Sequence, residues 1–394
     1  MKFLIFIPCF THGGAEKQAS ILAMHLKEIG HYVEVWGLPS RGKGTPLLEL
    51  LTTAGITCRQ LDRWPSFGWI YQDAGLNPAS FLLRAFLRLL RNRKLCAELP
   101  RQRFDIVIPF TITPSVLTLL CRKQLGVRIF WNHRSGYDNG SFIYNRYFVR
   151  LATSANVEFV ANSQDGAHFV ADTFNQPLAS VSIIPNAFVP DGTWKTLPTF
   201  ERHRTNKRNT LRLLHLANLN REKDIWTALE AIRILKKDGS NVLLDIAGFT
   251  PFKEDERRLL EEISREDLFG SVRFCGPLGR AELEQWLIDA DIGLLSTRCE
   301  GTSNSILEYM YARLPIIGTD IPGIRELLPE ENRKWLFPVG DSEKLASLIQ
   351  KMSESEELRM HLGAENCAHV ERKFSMLATM QQWERVLKIT HKAP

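Results

Sequence analysis

The stretch DIGLLSTRCEGTSNSILEYMYARLPIIGT, residues 291–319, holds the organisation of the chain in miniature. Ile292–Leu295 is a short apolar run of strand length, ended by a polar turn that contains Gly301. Ile306–Tyr311 then reads as part of a helix, and Pro315–Gly318 is a second apolar run. A strand, a turn, a helix and another strand make a unit in which the two strands run parallel and the helix crosses over them. Strands in such a sheet are buried on both faces, so they are apolar throughout and do not alternate.

The pattern repeats upstream. Leu211–Leu216, Val242–Ala247 and Val272–Phe274 read as strands, with helices over Ile225–Lys236, Glu254–Ser264 and Ala281–Asp289. Nearer the start, Phe3–Pro8, Val33–Leu38, Asp105–Phe110, Arg128–Trp131 and Glu158–Ala161 are strand-like, and Glu16–Ile29 is helical after Gly13-Gly14. Met376–Lys388 closes the chain as a helix. Between the two series, residues 189–209 are rich in Pro, Thr and charge and weak in periodicity, so they read as a linker. The expectation is an α/β chain of two doubly wound domains, 1–188 and 210–374, with residues 375–394 as a further segment. Sheets of this kind bind ligands at the carboxyl ends of their strands.

A length of 394 residues suits two such domains, and 44% hydrophobic with 24% charged residues is ordinary for globular ones. The net charge of +6 is uneven: residues 1–190 carry +8 and residues 191–394 carry −2. A basic first half suits anionic partners such as lipid headgroups or a lipid-linked phosphate. No nucleic-acid motif is present, so no nucleic acid is expected. Seven scattered cysteines without a CxxC pair give no metal site and suggest reduced thiols in a cytoplasm. The start MKFLIFIPCF reads as a buried first strand and not as a signal peptide, because Pro8 breaks its apolar run. No run is long enough for a membrane span.

Chemistry concentrates in Glu300–Glu308. Two carboxylates stand eight positions apart, one in the turn and one in the helix. The amides of Gly301, Thr302, Ser303 and Asn304 at the helix start can bind hydroxyl or phosphate oxygens. Carboxylates accept from sugar or ribose hydroxyls. A plainer reading exists, because Ser305-x-x-Glu308 also fits a helix capping box. Gly13 and Gly14 fit either a helix-entry turn or a close backbone approach to a ligand. His133 and Arg134 follow the strand Arg128–Trp131, at a carboxyl end; His133 fits either a plain loop residue or a ligand contact, and Arg134 is a weaker candidate for anion contact. Asp289-Ala-Asp291 matches the D-x-D pattern of metal-dependent sugar transferases, but its place between a helix and a strand suits helix-end and strand-entry roles. In Phe81–Lys94, Arg84, Arg88 and Arg91 fall on one face of an amphipathic helix. That helix is either an ordinary cover for the sheet or a dock for an anionic membrane.

Residues 300–328, EGTSNSILEYMYARLPIIGTDIPGIRELL, resemble the donor-binding signature of glycosyltransferase family 4, the retaining GT-B glycosyltransferases also called glycosyl transferases group 1. The resemblance extends to GGAE (13–16), VANS (160–163), IIPNA (183–187), HLANLNREKD (215–224), IAGF (246–249) and VRFCGPL (272–278). It implies a GT-B fold, two Rossmann-like domains facing across a cleft, with residues 375–394 returning to the first. It also implies transfer, with retention and without a metal or other cofactor, from a UDP- or GDP-sugar to a hydroxyl of a glycan or lipid-linked acceptor. By the same resemblance Glu300 contacts the donor sugar, Glu308 the ribose and Lys223 the diphosphate. Gly13 and Gly14 approach phosphate and acceptor, and His133 reaches the donor sugar. One departure stands out: Ala217-Asn218-Leu219 replaces the family's Gly-Arg-Leu, so Asn218 lies where an arginine is usual and Arg221 is the available substitute. The implied setting is cell-surface polysaccharide assembly, cytoplasmic and peripheral at the inner membrane face. Two other readings stand beside it, a non-catalytic two-lobed sugar- or nucleotide-binding protein and a GT-B sugar-nucleotide epimerase.

Overall fold

The structure is a computed structural model. It describes residues 1–11, 13–37, 45–61, 99, 102–136, 157–190, 209–219, 222–250, 253–265 and 267–389. Arg221, the helix expected over 81–94 and most of the expected linker lie outside the described residues. The chain divides into two compact units, one of residues 1–185 with 380–394 and the other of residues 186–379.

In the first unit, strands β1 (Lys2–Ile7), β2 (Tyr32–Gly37), β3 (Thr57–Gln60), β4 (Ile106–Pro109), β5 (Arg128–His133), β6 (Val157–Ala161) and β7 (Val181–Ile183) alternate with helices. These helices are α1 (Gly14–Glu28), α2 (Pro46–Thr53), α3 (Ile112–Leu125) and α4 (Gln164–Phe174). Among the described residues the strand order is β3-β2-β1-β4-β5-β6-β7. Every pairing is parallel. Phe3–Ile7 are all buried, which is why β1 is apolar on both faces. The thiols are not all reduced, because Cys121 on α3 is disulfide-bonded, whereas Cys9, Cys58, Cys275, Cys299 and Cys367 are free.

The second unit repeats the plan. Strands β8 (Leu211–Leu216), β9 (Val242–Ala247), β10 (Val272–Gly276), β11 (Ile292–Leu295), β12 (Ile316–Thr319) and β13 (Leu336–Phe337) lie in the order β10-β9-β8-β11-β12-β13, all parallel. Its helices are α5 (Ile225–Lys237), α6 (Lys253–Ile263), α7 (Arg280–Asp289), α8 (Asn304–Tyr311), α9 (Pro322–Arg325), α10 (Ser342–Ser353) and α11 (Glu356–Lys373). Helix α5 shows why they pack. Ile225, Ala228, Leu229, Ile232 and Leu235 form one buried stripe at helical spacing and join the core with β8, β9 and α10. The two helices over 342–373 have no counterpart in the pattern reading.

The last helix, α12 (Met376–Leu387), starts in the second unit and belongs to the first from Met380 onward. Within the first unit, Glu384 meets His25 at 2.7 Å, and the Leu387 carbonyl accepts from Arg128 at 3.1 Å.

Candidate functional site

In each sheet the chain reverses its winding beside the first strand, between β1 and β4 and between β8 and β11. At such a point the loops leaving two neighbouring strands diverge, which opens a crevice at their carboxyl ends. In the second unit the described residues of those loops, 217–219, 222–224 and 296–303, carry most of the candidate residues.

The two loops are tied together. Arg298 N–H and Thr297 Oγ1 both donate to the Glu222 carbonyl, at 2.8 and 3.2 Å. Lys223, next in sequence, forms an ion pair with Glu300, and both side chains are largely buried. Residues 77 positions apart thus meet across the switch point, the cation from one strand end and the carboxylate from the next. Lys223 stands just before Asp224, the first residue outside α5, so its charge sits near the positive end of that helix. Favourable pairing with Glu300 offsets that placement.

His215, beneath this pair, had no assigned role. It is fully buried on β8, and its Nε2 accepts from the Ser296 N–H on β11's exit at 3.3 Å. Burial, with the nearby Lys223 charge, pushes its pKa down to about 4. A neutral imidazole therefore joins the two strand ends. Nothing in the local sequence pattern marks such a residue.

The start of α8 differs from the capping-box expectation. Ser303, not Ser305, is the cap: its Oγ accepts from Ile306 N–H at 3.4 Å. Ser305 Oγ instead donates to the Leu216 carbonyl at 2.6 Å, at the end of β8. Tyr309, one turn on, accepts from Leu216 N–H at 2.6 Å and donates to the Leu294 carbonyl at 3.2 Å. Glu308 is thus in the second turn and plays no part in the cap. It shares the Ser305 side of the helix, and its carboxylate adds to the burial that raises the Tyr309 pKa. The amides of Asn304 and Ser305 take no acceptor among the described residues, so they are the open donors of the helix start.

The turn before α8 is packed from several sides. Thr302 and Ser303 are buried. Asn186 Nδ2, from the IIPNA segment, reaches the Thr302 carbonyl at 2.9 Å and Asn304 Oδ1 at 3.0 Å. Gly323, at the start of α9, lies so close that a Cβ there would come within 2.1 Å of the Glu300 carbonyl. Any side chain at 323 would displace the backbone that aims Glu300. Gly301 and Thr302–Ser303 are therefore a rigid seat, and the partly accessible side chains of the turn are those of Glu300 and Asn304.

Asn218 is exposed, and its Oδ1 accepts from the Phe249 N–H at 3.3 Å. This side chain thereby holds the loop after β9. The acidic pair contacts Arg212: Asp291 accepts from Arg212 N–H at 2.8 Å at the entry to β8, and Asp289 pairs with the Arg212 side chain at 3.2 Å. No group of three or more potential metal ligands occurs among the described residues.

Gly13, Gly14 and His133 belong to the first unit. Gly13 precedes α1, and a Cβ on it would collide with the Glu16 carboxyl folded over it. That carboxyl is buried, which raises its pKa, and the Cys9 thiol donates to it at 3.8 Å. His133 is the last residue of β5 and not a loop residue, since the strand runs two positions beyond Trp131. It is 4% exposed, stacked on Phe169 at 4.8 Å, with Nε2 at 3.2 Å from the Gly136 carbonyl. Arg134 is no open anion contact. Its guanidinium is buried beside Phe110 and Trp383 and donates to the Ile184 carbonyl at 3.0 Å. Burial pushes its pKa down to about 9.

Residues 199–367 match the family model described as Glycosyl transferases group 1. The amylovoran biosynthesis glycosyltransferase AmsK of Erwinia amylovora is 30% identical over 45% of this chain and 44% of its own. The putative glycosyltransferase EpsD of Bacillus subtilis is 24% identical over 69% of this chain and 74% of its own. The match to AmsK thus spans less than half of that relative's length. Among solved structures, Anabaena HepE in complex with UDP and glucose superposes with a TM-score of 0.76 at 19% identity, covering 99% of this chain and all of that one. Sucrose-phosphate synthase from Thermosynechococcus elongatus does so with 0.71 at 15% identity, covering 98% of each chain. The fold of this chain is GT-B, two parallel-sheet Rossmann-like units, and its residues 199–367 are similar to the glycosyl transferases group 1 family.

Proposed function

We propose that the chain transfers a glycosyl group from a nucleoside diphosphate sugar to a hydroxyl acceptor in cell-surface polysaccharide assembly. The observation that carries this reading is the Lys223–Glu300 pair at the switch point of the second sheet, beside the open amides of α8. The cation and the amides suit a diphosphate, and the carboxylate suits sugar hydroxyls. As the bond between sugar and diphosphate breaks, negative charge grows on the leaving group. Lys223 and the helix start are held in place beforehand, so they favour the transition state over the bound donor. Glu308, freed of any capping role, takes the ribose hydroxyls. Gly13 and Gly14 serve the acceptor side. Retention, independence of metal and a peripheral place at the inner membrane face belong to the same reading. It draws support from relatives named for amylovoran and colanic acid biosynthesis and from a neighbour solved with UDP-glucose.

The test is titration of the whole protein with UDP, GDP and their sugars by calorimetry, followed by turnover with radiolabelled donors in excess chelator. Binding of a nucleoside diphosphate with label moving to a hydroxyl acceptor is the expected result. Binding without turnover would favour the two-lobed binding protein, and an altered sugar nucleotide formed without acceptor would favour the epimerase. Activity lost to chelator and restored by manganese or magnesium would overturn metal independence.

A further inference from the structure

The loop after β9 carries Phe249, which is 58% exposed at the carboxyl end of the sheet. Large aromatic side chains are normally buried, and an exposed one beside a ligand crevice invites a partner. This one is anchored by its backbone. Its N–H donates to Asn218 Oδ1 at 3.3 Å, and its carbonyl accepts from Leu219 N–H at 2.9 Å. The preceding Gly248 lets the two loops touch, because a Cβ there would lie 1.8 Å from the Ala217 carbonyl. Gly248 N–H in turn reaches the Gly276 carbonyl at 2.9 Å, which ties in the end of β10. The ring is therefore mounted on a fixed backbone that is continuous with the loop carrying Lys223.

The geometry points to Phe249 as the platform on which the nucleobase of the donor stacks, with Asn218 as the residue that positions it. The proposal rests on the donor reading given above. β9, β8 and β11 are consecutive in the sheet, about 4.8 Å apart. Phe249 leaves the first, Lys223 the second and Glu300 the third. A nucleoside diphosphate sugar laid along this row meets an aromatic ring, a cation and a sugar carboxylate in the order of its base, diphosphate and sugar. Stacking on a ring gives affinity for any base, since every base has a π-face. Asn218, in place of an arginine, gives up a phosphate contact and secures the platform.

The experiment uses the full chain and calorimetry with UDP, GDP and inorganic pyrophosphate. Phe249→Ala is expected to weaken UDP and GDP at least tenfold and to leave pyrophosphate unchanged, while Phe249→Trp keeps wild-type affinity. Phe269, 73% exposed in the turn that leads into β10, is a control of like chemistry at the amino end of the strands, and Phe269→Ala is expected to change nothing. Nucleotide affinity within twofold of wild type in Phe249→Ala overturns the platform and leaves the donor reading intact. An equal loss for pyrophosphate overturns it too, by showing collapse of the loop. A wild-type protein that binds neither UDP nor GDP refutes the donor reading itself.

Discussion

Replacing Glu300 by glutamine separates the two jobs that the ion pair combines. Without ligand, the Glu300 carboxylate occupies the cation that a diphosphate needs. An incoming diphosphate therefore competes with an internal anion. Two unit charges about 4 Å apart attract by about 4 kcal/mol at an effective dielectric near 20. Both side chains are mostly out of water, at 13% and 17% exposure, so desolvation returns much of that. The net hold on Lys223 is about 1–2 kcal/mol. Glu300→Gln keeps the shape and removes the charge, so UDP and GDP are expected to bind about 5- to 30-fold more tightly. Turnover should fall in the same protein, because the carboxylate is lost from the sugar. Calorimetry with free nucleoside diphosphates measures the first effect and a donor turnover assay the second. A Lys223→Ala background supplies the check: there Glu300→Gln should no longer tighten binding through the cation, since coupled residues do not act additively. Nucleotide affinity that is unchanged or weaker in Glu300→Gln, with an unaltered melting curve, would refute the competition and with it the placing of diphosphate at Lys223.

Lys223→Ala alone should cut turnover by about 100-fold or more, as expected for a preorganised group on the leaving charge; wild-type turnover would remove the assignment. Glu308→Gln should weaken UDP and GDP while the melting temperature holds, because Ser303 caps α8; a fall in stability of roughly 1 kcal/mol with unchanged affinity would restore the capping role. His215 makes stability depend on acid pH. Its folded pKa, about 4, lies below the ordinary value near 6.5, so its contribution is present above about 6.5 and is lost as pH falls toward 4. By linkage this amounts to about 3 kcal/mol. Melting curves across that window should fall more steeply for wild type than for His215→Gln, and parallel curves would contradict a buried neutral imidazole.

The amino-acid sequence alone was enough to place the strands of the second unit: Leu211–Leu216, Val242–Ala247 and Ile292–Leu295 have the bounds their apolar runs suggest. A strand buried on both faces is mostly apolar along its length, even where a polar residue such as His215 or Asp245 interrupts the run, and this signal is local. The alternation of such runs with helices carried the doubly wound class for the same reason. The carboxylates of Glu300 and Glu308 were legible because they share one short segment. What spans the chain was not. Ser305 and Glu308 satisfy the capping pattern, yet the helix starts two residues earlier. Its start is decided by Asn186, Gly323 and the ends of β8 and β11, none of which a four-residue rule contains. The polar Asn132-His133 pair ends the apolar run, so the pattern stops the strand at Trp131, although its ladder with β6 continues to His133 opposite Ala161. The meeting of Lys223 with Glu300, the neutral His215 beneath them, and the use of Asn218 to hold Phe249 depend on strands placed side by side by hydrogen-bond register. Register is a property of the folded sheet, so only the tertiary structure could decide them.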